Sequence, residues 1–247
     1  MSGHSKWSTI KRKKGAKDAA RSKVFSKLIK EIQIAARMGG GDPDSNPRLR
    51  LAIQNGKIEN LPKDNIERAI KKATGSESDA FEEVVYEGYA PHGIAVMVEC
   101  LTDNTNRTVA NVRSYFNKYS GSLGKTGSLE FVFDQKGVFT IKKGLLNLED
   151  IELDLIDAGA EDIEVEDDYI TVYCAREDFG NMQKKTEELK LDVENAGLKR
   201  IPKDTKVLNL TEFQSVMKLI DMIENDDDVQ NVYHNIELTD ELMQSME

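Results

Sequence analysis

The sequence predicts an α+β protein of three domains: a small N-terminal helical domain, a discontinuous α+β middle domain, and an inserted ferredoxin-like β-α-β-β-α-β domain. Three observations predict it. Apolar residues recur at three- and four-residue intervals up to about residue 75, and the period then shifts towards two. Residues 137–199 spell a complete split-βαβ order. The final helix and strand are too few to fold alone, so they are expected to return to the middle domain. The chain has 247 residues, enough for several cores. The expected boundaries are a basic arm at 1–16, helices at 17–76, the middle domain at 80–134 plus 205–247, and the insertion at 135–204.

In the first helix Val24, Phe25, Leu28, Ile29, Ile32, Ala35 and Ala36 form one apolar face, and Gly39 to Gly41 end it. Asn46 followed by Pro47 reads as a cap and first helical residue, with Leu49, Ala52 and Ile53 inward. Leu61 and Pro62 repeat the device before Ile66, Ala69 and Ile70. The SESD stretch that follows reads as a linker. Beyond it a hairpin turns at Pro91 to Gly93, a helix spans Asn104 to Tyr119, and a strand is expected at Leu129 to Phe133. The insertion then reads as strand 138–141, helix 148–158, strands 162–165 and 169–174, helix 179–189 and strand 193–199. A helix at 212–223 and a strand at 229–238 close the chain.

Charge is segregated. Residues 1–75 hold 18 Lys+Arg against 7 Asp+Glu, net +11, while the remainder holds 16 against 37, net −21; the overall net charge of −10 conceals the split. Such asymmetry points to a polyanion-binding end on an acidic body. Lys6, Lys11, Arg12, Lys13, Lys14, Lys17, Arg21, Lys23, Lys27 and Lys30 are opposed there only by Asp18. Cations so gathered can displace counterions from phosphates. Trp7, the only tryptophan, sits among them with His4 and Ser5 as a candidate for base stacking. Arg37, Arg48 and Arg50 flank the start of the second helix, where free N–H groups also favour anions. In DNTNRT, Asn104, Asn106 and Arg107 are candidates for a secondary RNA contact, against the plainer reading that Asp103 or Asn104 caps a helix.

No enzymatic chemistry is expected. Gly124, Lys125 and Thr126 imitate the end of a phosphate loop, but Tyr119 stands where its first glycine belongs. Asp42, Asp44 and Asn46 start like a calcium loop, but Pro47 and Ile53 occupy its glycine and glutamate positions. The acidic runs 161–168 and 226–228 are expected to be solvated. The histidines, at 4, 92 and 234, suggest no Ser/His/Asp or Cys/His set. Cys100 and Cys174 lack partners at metal spacing and are expected as buried free thiols. No metal or cofactor is expected. The N-terminal stretch lacks the apolar core of a secretory signal, and no run could span a bilayer, so the expected setting is the cytoplasm without membrane partners.

GHSKW, KRKKGAKDAARSKVFSKL and GGGDPDSNPRLR, with YEGYAPHGIAVMVECLTDNTNRTVANVR and GSLGKTGSLEFVF, resemble the YebC family over essentially the whole chain. The resemblance implies three domains, a cytoplasmic location and absence of enzymatic chemistry. It also implies a regulator of gene expression, since the family has been described both as DNA-binding transcriptional regulators and as translational activators or ribosome-associated factors that ease stalling. The charge split favours RNA or the ribosome, with ribosomal RNA, tRNA and basic ribosomal proteins as partners. A DNA-binding transcriptional regulator is the alternative, and a small-molecule enzyme or sensor built on the ferredoxin-like unit is a third reading.

Overall fold

The computed structural model describes residues 18–75 and 81–245. Helices α1 (Asp18–Gly39), α2 (Pro47–Ile58) and α3 (Lys63–Thr74) form the first domain around Ile32, Ala35, Ala36, Leu49, Ala52, Leu61, Ile66 and Ala69. Asn46 fixes their geometry. Its Oδ1 accepts the N–H of Leu49 at 3.1 Å, capping α2. Its Nδ2 donates to the carbonyls of Ala35 at 2.7 Å and Gly40 at 2.8 Å, closing the end of α1. Gly39 permits this approach, because a Cβ there would lie 2.6 Å from Asn46 Nδ2.

The middle domain has the sheet order β3-β1-β2-β8, built from β1 (Glu82–Ala90), β2 (Ile94–Thr102), β3 (Ser122–Leu123) and β8 (Val229–His234). Every strand pair is antiparallel. The return of the chain end is therefore seen directly: β8 pairs with β2 although 126 residues separate the two strands. Helix α4 (Thr105–Lys118) and helix α7 (Leu210–Glu224) cover one face through Val112, Phe116, Phe213, Val216, Leu219, Ile220 and Ile223. The other face packs Ala95, Met97 and Tyr233 against Leu129 and Phe133. Because β2 is covered on both sides, Ile94 to Val98 form an unbroken apolar run, and the one charged residue of the strand, Glu99, pairs with Arg200 at 3.1 Å.

The inserted sheet has the order β5-β6-β4-β7, from β4 (Phe133–Lys142), β5 (Ala160–Val165), β6 (Tyr169–Ala175) and β7 (Val193–Pro202). Helix α5 (Glu152–Asp157) and helix α6 (Phe179–Glu188) complete the ferredoxin-like plan. Phe139, Ile141, Leu155, Ile170, Val172, Cys174 and Met182 form its core.

Four local expectations change. Residues 129–132 are turns, not a strand. They follow Gly127 at φ +85° and are held by the Glu87 carboxylate, so Leu129 is buried while Phe131 points outward. The expected helix 148–158 divides into a 3-10 turn at Leu148–Asp150 and the short α5, neither opened by a side-chain cap. The last strand stops at His234 because Asn235 Oδ1 accepts the Ala95 N–H at 2.9 Å in place of a main-chain carbonyl. A further helix, α8 (Asp240–Gln244), follows Thr239, whose side chain accepts the Leu242 N–H.

Candidate nucleic-acid interface

Of the residues expected to meet phosphate, His4, Ser5, Lys6, Trp7, Lys11, Arg12, Lys13, Lys14 and Lys17 lie outside the described residues, as does the linker. The others are placed. Arg21 is exposed, its guanidinium 5.3 Å from the Phe25 ring centroid. Arg37 is exposed near the end of α1. Lys23, Lys27 and Lys30, however, all reach the stretch that runs from the end of α7 into the start of β8. Lys23 Nζ donates to the Asn225 carbonyl and, at 3.2 Å, to its Oδ1; Lys27 Nζ to the Gln230 carbonyl at 3.4 Å; Lys30 Nζ to the Asp227 carbonyl at 2.7 Å and Asp228 Oδ1 at 3.1 Å.

Arg48 pairs with Glu31 at 3.0 Å and with Glu83 at the start of β1, linking two domains. Burial works against its charge, but the two carboxylates outweigh that and raise its pKa. Arg50 donates to the carbonyls of Pro43 at 3.2 Å and Asp44 at 3.4 Å, so it braces the turn before α2. In that turn the Asp42 carboxylate accepts the Asp44 N–H and the Ser45 hydroxyl, each at 3.1 Å, which explains the calcium-like string without a metal.

Sequence reasoning missed the outer face of α3. Ile66, Ala69 and Ala73 point inward, leaving Lys63, Arg68, Lys71 and Lys72 exposed, with Lys57 exposed near the end of α2. The signal was available in the spacing of those apolar residues, which turns positions 63, 68, 71 and 72 away from the core.

The segment DNTNRT belongs to a buried electrostatic hub. Asn104 caps α4 by accepting the Arg107 N–H at 3.0 Å. Asp228, 6% exposed, accepts from Arg107 at 2.7 Å, Thr108 at 3.0 Å, Thr102 at 3.2 Å and Lys30. Burial pushes the Asp228 carboxyl up, yet the hydrogen bonds from Arg107, Lys30 and Thr108 together leave it below the usual carboxylate range. Arg107 also pairs with Asp103 at 2.8 Å, whereas Asn106 remains on the exposed side of the helix. Asp226 accepts from Asn111 at 3.1 Å and Tyr115 at 2.9 Å. Two of the three carboxylates of the run 226–228, Asp226 and Asp228, are thus paired, not merely solvated as their sequence suggested, while Asp227 is exposed as expected. Partners distant in the chain supply the pairing.

The phosphate-loop imitation also has an internal explanation. Glu87 is 4% exposed, and its carboxylate accepts the N–H groups of Gly127 at 2.8 Å and Leu129 at 2.6 Å. The amide-rich turn cradles a protein carboxylate where a phosphate loop would cradle a ligand.

One grouping departs from the expectation that the histidines join no catalytic-looking set. His92 Nε2 lies 3.1 Å from Ser215 Oγ, and its Nδ1 lies 3.5 Å from Glu212 Oε1. The Ser215 hydroxyl donates to the Glu212 carbonyl at 2.7 Å, and Glu212 Oε2 accepts the Asn209 N–H in the capping box of α7. With its proton directed into the helix, Ser215 is not poised to lose it to His92. The set clips the β1–β2 turn to α7. Cys100 and Cys174 are buried free thiols, their pKa values pushed up to about 12 and about 11, first by burial. Among the described residues there is no cluster of metal-ligating side chains, and no helix is long and apolar enough to cross a membrane.

Comparison with known proteins agrees with this architecture. A family model described as the TACO1/YebC protein N-terminal domain matches residues 5–76, and one described as the TACO1/YebC second and third domain matches residues 81–236. The chain belongs to the TACO1/YebC family. A "Probable transcriptional regulatory protein" of Amoebophilus asiaticus is 52% identical over 239 residues, covering 96% of this chain and 98% of the relative. Another of that name from Geobacillus thermodenitrificans is 50% identical over 240 residues, with 96% and 97% covered. The crystal structure of a conserved hypothetical protein from Aquifex aeolicus superposes with a TM-score of 0.82 at 41% identity, covering 90% of this chain and 93% of its own.

Proposed function

We propose that this TACO1/YebC-family chain is a non-enzymatic, nucleic-acid-binding regulator of gene expression whose helical domain and basic arm meet phosphates. The observation that carries the reading is the charge split, net +11 up to residue 75 and net −21 beyond it. The exposed cations of α3 support it by extending the basic surface past the arm. Among the described residues, the groupings that imitate a phosphate loop, a calcium loop and a Ser/His/Glu set each have an internal structural role, which supports binding over chemistry.

RNA in a ribosomal setting is the favoured target. An acidic body attached to a basic end is repelled by extended contact with duplex DNA, but it can face basic ribosomal proteins while the other end meets RNA. The relatives' name, probable transcriptional regulatory protein, supports the DNA reading. Crosslinking of the protein to nucleic acid in cells, followed by sequencing, separates the two. Enrichment of ribosomal RNA or tRNA is expected; enrichment of promoter DNA without RNA would transfer the function to transcription, and recovery of neither would refute nucleic-acid binding.

A further inference from the structure

Lys23, Lys27 and Lys30 recur at four- and three-residue intervals and so share one face of α1. All three engage a single segment, residues 225–230. That segment begins at the C-terminal end of α7, where helix carbonyls concentrate negative potential, and it carries Asp226, Asp227 and Asp228. It offers the lysines what a phosphate backbone offers, closely spaced oxygen acceptors in a negative field. The contact is made by lysine tips on carbonyl and carboxylate oxygens, joined by the Arg48–Glu83 ion pair and by Lys30 over the Phe81 ring, while Phe25, Leu28, Ile29 and Ile32 of α1 pack into the helical domain's own core. Such a polar junction between domains is separable by competing anions.

We propose that residues 225–230 are a built-in competitor for nucleic acid: they occupy Lys23, Lys27 and Lys30 in the free protein, and binding of a phosphate backbone releases the helical domain from the middle domain. This rests on the nucleic-acid reading above. It makes the observed arrangement a closed state, whose apparent affinity is lowered by the fraction of molecules that hold the latch shut. Asp228 is the anchor of the latch, because Arg107, Thr102 and Thr108 fix its carboxylate in the middle domain while Lys30 reaches it from α1. Asp227 is exposed and adds charge beside the same lysine.

The test uses the full chain as wild type, Asp228→Asn and Asp227→Asn, with fluorescence anisotropy at low salt against a labelled single-stranded oligoribonucleotide and a mixed-sequence duplex DNA. Whichever probe the wild type binds, Asp228→Asn is expected to bind about tenfold tighter and Asp227→Asn about threefold tighter. Backbone amide exchange in residues 225–230 of the wild type is expected to rise as that probe is added. Asp227→Asn and the exchange measurement keep the test decisive if Asp228→Asn fails to fold. Unchanged or weaker binding by the folded variants overturns the latch, as does exchange that stays flat or falls, while wild-type binding leaves the functional reading standing. Absence of binding to either probe by every form overturns both.

Discussion

Replacing Asn46 with alanine removes three hydrogen bonds from a residue that is only 4% exposed. Loss of the Leu49 cap costs about 1 kcal/mol. The carbonyls of Ala35 and Gly40 each lose a buried donor, at about 1 kcal/mol apiece, so the total is about 3 kcal/mol. Serine at this position keeps an oxygen for the cap but cannot reach both carbonyls as a donor, so Asn46→Ser is expected to lose about 2 kcal/mol. Because three domains need not unfold together, the measurement is native-state amide exchange in α1 and α2 rather than a single global melt. If Asn46→Ala opens these helices within about 0.5 kcal/mol of wild type, the range of ordinary surface substitutions, Asn46 does not hold them together. If Asn46→Ser matches wild type, the two hydrogen bonds donated by Asn46 Nδ2 contribute nothing.

Converting Lys63, Arg68, Lys71 and Lys72 together to glutamine is expected to leave the helical content intact and reduce the slope of log affinity against log salt by about 2–3, as for three or so lost phosphate contacts. An unchanged slope would place the nucleic-acid contact elsewhere. Glu87→Gln replaces an oxygen that accepts a backbone N–H with an amide donor, so proteolysis at residues 124–132 is expected to quicken and stability to fall by about 1–2 kcal/mol; identical cleavage kinetics would contradict the cradle. Asp228, whose folded pKa lies below the usual 3.8, contributes stability that is present above its unfolded pKa and lost as pH falls through the folded value. Wild type is therefore expected to lose its advantage over Asp228→Asn below about pH 4 in acid titrations of unfolding, and parallel curves would refute the assignment.

Much of the fold was readable because local periodicity and overall topology agree here. The apolar spacing of α1 to α3, the Asn46-Pro47 start of α2 and the strand-helix order of the insertion each depend on neighbours within a few residues. The return of β8 was inferable because a lone helix and strand must find a sheet. Leu129 to Phe133 misled because an apolar run marks burial without fixing backbone shape, and the carboxylate that shapes it is 40 or more residues away. The interface divides in the same manner. Charge segregation is a property of composition, whereas the exposed cations of α3 follow from helical geometry and could have been read with it.

The sequence by itself determined the three domains, the family and the polarity of charge, because these arise from short-range patterns and from counts. Only the tertiary structure decided which charges are available. Lys30 and Asp228 are separated by 198 residues, yet their pairing decides that part of the basic helix is engaged within the protein and that an acidic residue expected in water is buried and held by partners. Electrostatic energy depends on distance in space and on burial, and neither is carried by position along the chain.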